Sequence, residues 1–144
     1  MEDQSVKLLN HCYKGAQMGI IALGQMLPYC KSKEVYDFVE ASARRYQEFA
    51  KETSANLRAR GADPKNVCKC SVYCAVKVVK WRCKRRGSDG NILEQVRDGA
   101  VKSVAACDRY LKMYCGADAD AIEVCNKLSA LGSNVDEESY SVSV

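Results

Sequence analysis

Proline is nearly absent: Pro28 and Pro64 are the only two in 144 residues. So few breakers, with long stretches rich in Ala, Lys, Glu, Leu and Val, favour an all-α fold. Long apolar runs are also missing. The longest, Met18 to Leu27, includes Gln25 and stops at Pro28, far short of the roughly 20 residues that span a bilayer. It is expected as a core helix, with no transmembrane segment. No secretory signal opens the chain, because Met1-Glu2-Asp3-Gln4 is acidic and polar where a signal would be basic and then apolar. Histidine occurs once, as His11, with no Ser or Cys nucleophile in a recognised motif beside it. Cys12 is adjacent but would be turned about 100° away on a helix, so no catalytic residue is expected. No phosphate-cradling loop is present either; Gly87-Ser88-Asp89-Gly90 lacks the preceding strand and the Lys-Ser/Thr that would give it that meaning.

Cysteine, by contrast, is abundant, with nine residues. An odd number without a signal argues against a secreted disulfide framework and for reduced thiols in the cytoplasm. Free cysteine behaves as a small hydrophobe, so most of the nine are expected in the core.

The chain contains an internal repeat. Residues 8–27 and 92–111 align without gaps at an offset of 84: Leu9, Cys12, Ala16, Ile20, Leu23 and Leu27 face Leu93, Val96, Ala100, Val104, Cys107 and Leu111. The period is too long for a solenoid unit and indicates two related helical hairpins. Helix 1 is expected from about Asp3 to Leu27, ended by Pro28. Helix 2 follows from the cap Ser32 to about Arg60, with Val35, Phe38, Val39, Ser42, Tyr46, Phe49, Thr53 and Leu57 inward and Gly61 as its stop. Glu34, Asp37, Glu40, Glu48 and Glu52 mark its wet side.

Helix 3 is expected from the Asp63 cap and Pro64 to about Arg86. Helix 4 runs from about Asn91 to Tyr114, and helix 5 from about Asp118 to Leu131 on the pattern Ile122, Cys125, Leu128. The acidic, Ser-rich residues 132–144 are expected as a poorly ordered tail, leaving residues 1–131 as the folded unit. Helices 1, 2, 4 and 5 then form a four-helix bundle, with helix 3 as the crossover that carries the chain back along it. One long crossover is the topology of ferritin-like folds.

The chain resembles a bacterial family of small ferritin-like proteins of unassigned function. The resemblance is carried by Lys14-Gly15-Ala16 and Arg97-Asp98-Gly99-Ala100, by Phe49-Ala50-Lys51-Glu52 and Arg58-Ala59-Arg60-Gly61-Ala62-Asp63-Pro64, and by Lys80-Trp81 and Ile92-Leu93-Glu94. It spans roughly residues 5–131. In that family Gly-Glu tends to stand at the two repeat positions, where this chain has Ala16 and Ala100. Ferritin-like di-iron sites need inward glutamates on two helices and a Glu-x-x-His pair on each of the others. With one histidine and no Glu-x-x-His, a conventional di-iron oxidase is not expected, and a non-enzymatic bundle acting through self-association or a protein partner is; the resemblance alone implies the alternative of a degenerate ferritin-like oxidoreductase.

Two features of helix 3 remain. Cys68, Cys70 and Cys74, with Cys83 further on, form the densest thiol cluster, and Cys70 and Cys74 share a helix face. Thiolates so placed can grip Cu(I) or Zn²⁺, although the spacing is not a closed structural zinc motif; these four are the candidate metal ligands. Helix 3 also carries two apolar stripes, Val67, Cys70, Cys74, Val78, Trp81 and Cys68, Val72, Val76, Val79, Cys83. One can lie on the bundle. The second stripe is expected to need cover from a folded-back tail or another subunit, so a homodimer through helix 3 is expected. Lys65, Lys69, Lys77, Lys80, Arg82, Lys84, Arg85 and Arg86 add eight positive charges with no acid among them, leaving the rest of the chain net negative. Nucleic acid is disfavoured as the partner, since only Tyr73 and Trp81 stand near for base stacking.

Overall fold

The structure, a computed structural model, describes residues 3–143. It is all-α: α1 (Gln4–Met26), α2 (Lys33–Ala59), α3 (Lys69–Arg85), α4 (Asp89–Met113) and α5 (Ala119–Ser139), with a single 3-10 turn, Leu27–Tyr29, after α1 and no strand among the described residues. No helix among them is long and apolar enough to cross a membrane.

Four of the five helices open on a side-chain cap. Asp3, Ser32, Ser88 and Asp118 each accept from a backbone N–H two or three residues on, at 2.9–3.2 Å. At the other end of α2, Gly61 adopts φ 76°, the left-handed conformation that closes a helix with least steric cost to glycine.

α1 and α2 pack as one hairpin and α4 and α5 as the other, and α1 touches all four remaining helices. The repeat is visible in the packing. Leu9, Cys12, Ala16 and Leu23 are buried, as are their equivalents Leu93, Val96, Ala100 and Cys107, while Ile20, Leu27, Val104 and Leu111 are all half-buried. The α2 stripe points inward as its spacing requires, and Thr53 satisfies its hydroxyl by donating to Phe49 O at 2.8 Å.

Three expectations need correction. α3 begins at Lys69 rather than at Pro64. The chain between α2 and α3 instead runs along α1, whose side chains capture its backbone: Lys65 N–H donates to Asn10 Oδ1 (2.9 Å) and Val67 N–H to Gln17 Oε1 (3.0 Å). Those amides are then committed outside the helix, and Pro64 has none to offer.

α5 continues eight residues past Leu131, to Ser139. Gly132 does not stop it; it is a contact point. A Cβ there would lie 3.1 Å from Val104 Cγ2 and 3.2 Å from Ala100 O, so glycine lets α5 approach α4 closely. Val135 and Ser139 are buried beyond it. Arg97 fastens the end, donating from Nε to Ser139 Oγ at 2.7 Å and lying 4.0 Å from the centre of the Tyr140 ring.

The third correction concerns the faces of α3. The stripe expected to need outside cover is the one its own bundle buries: Val79 and Cys83 are 9 % and 1 % exposed, and Val72 and Val76 are half-buried. Cys70, Cys74, Val78 and Trp81 face outward instead.

Candidate binding groove

α3 and α4 flank α1 and meet at one end, where Gln95 Nε2 donates to the Cys83 sulfur at 3.6 Å. Elsewhere they diverge, leaving a groove of about 720 Å³ floored by α1. Met18, Gly19, Ala22 and Met26 form the floor; Cys74, Ala75 and Val78 form the α3 wall; Gly99, Ala106 and Tyr110 belong to the α4 wall. Small side chains keep it open. A Cβ built on Gly99 would meet nothing within 4 Å, and one on Gly19 would only touch the Tyr46 ring.

The groove is apolar along its length and charged along its edges. Arg82, Lys102 and Arg109 stand on its walls with a single acid, Asp98. None of the three cations makes an ion pair among the described residues. At one end the groove continues into a smaller depression of about 450 Å³ bounded by Trp81, Arg82, Arg85, Arg86, Glu94 and Asp98, where Arg85 lies 5.1 Å from the Trp81 ring centre. At the other end His11 stacks on Tyr110, ring centres 4.4 Å apart, and its Nε2 lies 3.0 Å from Tyr114 Oη. Burial, and after it the Lys14 charge, lowers the His11 pKa.

Three buried thiols from three helices, Cys12, Cys107 and Cys125, lie together, with Cys107 reaching the groove lining; Cys125 Sγ donates to Cys107 O at 3.7 Å. Contact with Cys125, then burial, pushes the Cys12 and Cys107 thiols far up, so both stay protonated and behave as packing groups. Tyr46 beside them is pushed up to about 12 by burial and then by Cys107.

The four candidate metal ligands are divided. Cys68, Cys70 and Cys74 are exposed on the first turns of α3, whereas Cys83 is buried under its far end, about 13 Å further along the helix. Among the described residues no three His, Cys, Asp or Glu side chains are grouped so as to hold a metal ion. Cys68 is the distinctive member. The Ser71 hydroxyl, 3.0 Å from its sulfur, and then the Ser71 backbone N–H lower its pKa. A ferritin-like di-iron centre does not fit this chain, since Ala16 and Ala100, at the two repeat positions, are buried without a carboxylate.

Sequence reasoning pointed to α3 but missed the groove. Gly15 and Gly99, paired in the repeat, both line it, but a glycine pair in a sequence does not by itself mark an opening. Lys102 and Arg109 gave no signal, because one-dimensional spacing does not place them opposite α3. In comparison with known proteins, the chain matches no family model, no curated protein and no solved structure.

Proposed function

We propose that this chain is a non-enzymatic, ferritin-like helical bundle that works as a binding module, engaging a protein partner through the outer face of α3 and the groove beside it. The observation that carries this reading is the continuity of an exposed apolar stripe with an open apolar groove. Val78 and Trp81, three residues apart on α3, are 49 % and 58 % exposed; Val78 lines the groove and Trp81 the depression that continues it. Contiguous apolar surface of this kind marks an interaction site more often than scattered single residues do. The ferritin-like assignment rests on the repeated hairpins and the single long crossover. Nine free thiols fit a reducing compartment such as the cytoplasm.

Photocrosslinking in cells tests the reading, with a photoreactive residue in place of Tyr73 or Trp81 and a control in place of Glu52 on exposed α2. Adducts with another protein that form from α3 and not from α2 support it. Adducts of twice the chain's own mass would make the partner a second copy, the homodimer through α3. Equal adducts from all three positions, or none, refute it.

A second reading, thiolate binding of Cu(I) or Zn²⁺, is favoured by Cys70 and Cys74, both exposed and four residues apart on one face of α3. Elemental analysis of anaerobically purified protein decides it. Stoichiometric metal that disappears in Cys70→Ser supports this reading, and metal-free protein removes it.

A further inference from the structure

Resting on the reading of α3 and its groove as a binding surface, we infer that the groove takes an amphipathic helix with an acidic polar face, supplied by a partner protein. Size sets the first constraint. The floor runs from His11 to Met26, which is about 22 Å of helix. That length accepts roughly four turns of a second helix lying along it, with its apolar side chains over Met18, Ala22 and Val78. Helix-in-groove recognition uses this arrangement of a long apolar trough with anchors spaced three and four apart.

Charge then selects the occupant. The Gln95–Cys83 bond places Arg82 level with the start of the α4 wall, and Lys102 and Arg109 follow down α4. The three cations are spread over about 20 Å, at both ends and the middle of the trough. A fatty acid or similar amphiphile has one anionic head and would answer one of them. A second copy offering its own α3 would bring Lys69, Lys77, Lys80, Arg82, Lys84 and Arg85 and no acid, opposing like charges across the contact. A helix with glutamate or aspartate along both edges of its apolar stripe satisfies all three positions, and complementary edge charges set orientation and partner choice.

The test uses the full chain and three synthetic peptides of about 16 residues, long enough to fill the trough. One carries a leucine stripe with glutamates on the polar face, the second replaces the glutamates by lysines, and the third keeps the glutamates but replaces the leucines by glutamines. Binding is followed by titration calorimetry and by the emission of Trp81, the single tryptophan, at the groove's end. The glutamate–leucine peptide is expected to bind at least about tenfold more tightly than either of the others at low salt. In Lys102→Glu/Arg109→Glu the preference between the glutamate and lysine peptides reverses. Gly99→Leu fills the trough where nothing stands within 4 Å. It should abolish binding of the glutamate–leucine peptide while leaving the melting temperature unchanged or higher, because leucine is the better helix former.

Equal affinity for the two leucine peptides, undiminished binding by Gly99→Leu, or saturable oleate binding without peptide binding would each overturn the inference. If the peptides fail while photocrosslinks from Tyr73 and Trp81 persist, the binding face stands and the groove's occupant is wrong. If both fail, the reading of the face falls with it.

Discussion

Arg60 holds Asp118 by two nearly parallel hydrogen bonds, Nη1 to Oδ2 at 2.6 Å and Nη2 to Oδ1 at 3.0 Å, joining the end of α2 to the start of α5. The same carboxylate caps α5 by accepting from Ala121 N–H at 2.9 Å. Arg60, foremost, and the cap hold the Asp118 carboxyl well below the usual aspartate range.

That arrangement predicts an acid-labile joint. An aspartate titrating near about 3.9 when unfolded and lower when folded contributes its full stabilisation above that value, and loses it as pH falls toward the folded pKa. Thermal unfolding followed from pH 6 down to pH 2 should therefore show a steeper loss for the native chain than for Asp118→Asn. The Asp118 side chain is half exposed, so the difference should shrink in 1 M salt. Parallel curves would remove Asp118 as a contributor.

Gly132 predicts a graded packing response. Alanine in place of glycine inside a helix gains about 1 kcal/mol in propensity, but its methyl would stand 3.1–3.2 Å from Val104 and the Ala100 carbonyl. Overpacking a close contact typically costs about 1–3 kcal/mol, so Gly132→Ala should come out destabilised by at most about 2 kcal/mol. Gly132→Val, with two more methyl groups and poorer propensity, should lose about 2–4 kcal/mol. Urea unfolding measures both. A valine variant as stable as the alanine variant would mean that α5 is free to move away from α4.

Val78 and Val79 make an adjacent pair with opposite consequences. Val79 is buried against the bundle and Val78 is half exposed. Val79→Lys should lower stability by about 2–4 kcal/mol, because it forces an ammonium into an apolar contact. Val78→Lys should change stability by under about 0.5 kcal/mol yet weaken the α3 photocrosslinks. Equal stability losses would show that the two stripes of α3 share the burial.

The repeat was the most legible part of this sequence. Burial at Leu9, Cys12, Ala16 and Leu23 is matched at their partners 84 residues on because helical periodicity alone dictates which side chains share a face. The cap Ser32 was equally plain, being local. What could not be read was long-range. The start of α3 is decided by Asn10 and Gln17, which capture amides some 50 residues away. The inward face of α3 was undetermined, since both stripes are similarly apolar and only the position of α1 chooses between them. Gly132 looked like punctuation because a close interhelical approach and a chain break use the same residue. The groove was invisible for a related reason: an opening is defined by side chains that are small or missing, and Gly99 and Ala106 leave no periodic mark.

The central place of α1 has a consequence for biosynthesis. Its side chains reach α4 and α5 as well as α2, so the first hairpin cannot cover Leu8, Leu9 and Cys12 by itself. At about 5–20 residues per second, a ribosome needs on the order of 4–16 s to extend the chain from the end of α2 to the end of α5. During that interval the nascent hairpin presents a bare apolar ridge. Chains interrupted in the crossover never receive the second hairpin, and they remain clients for holdase chaperones or for degradation.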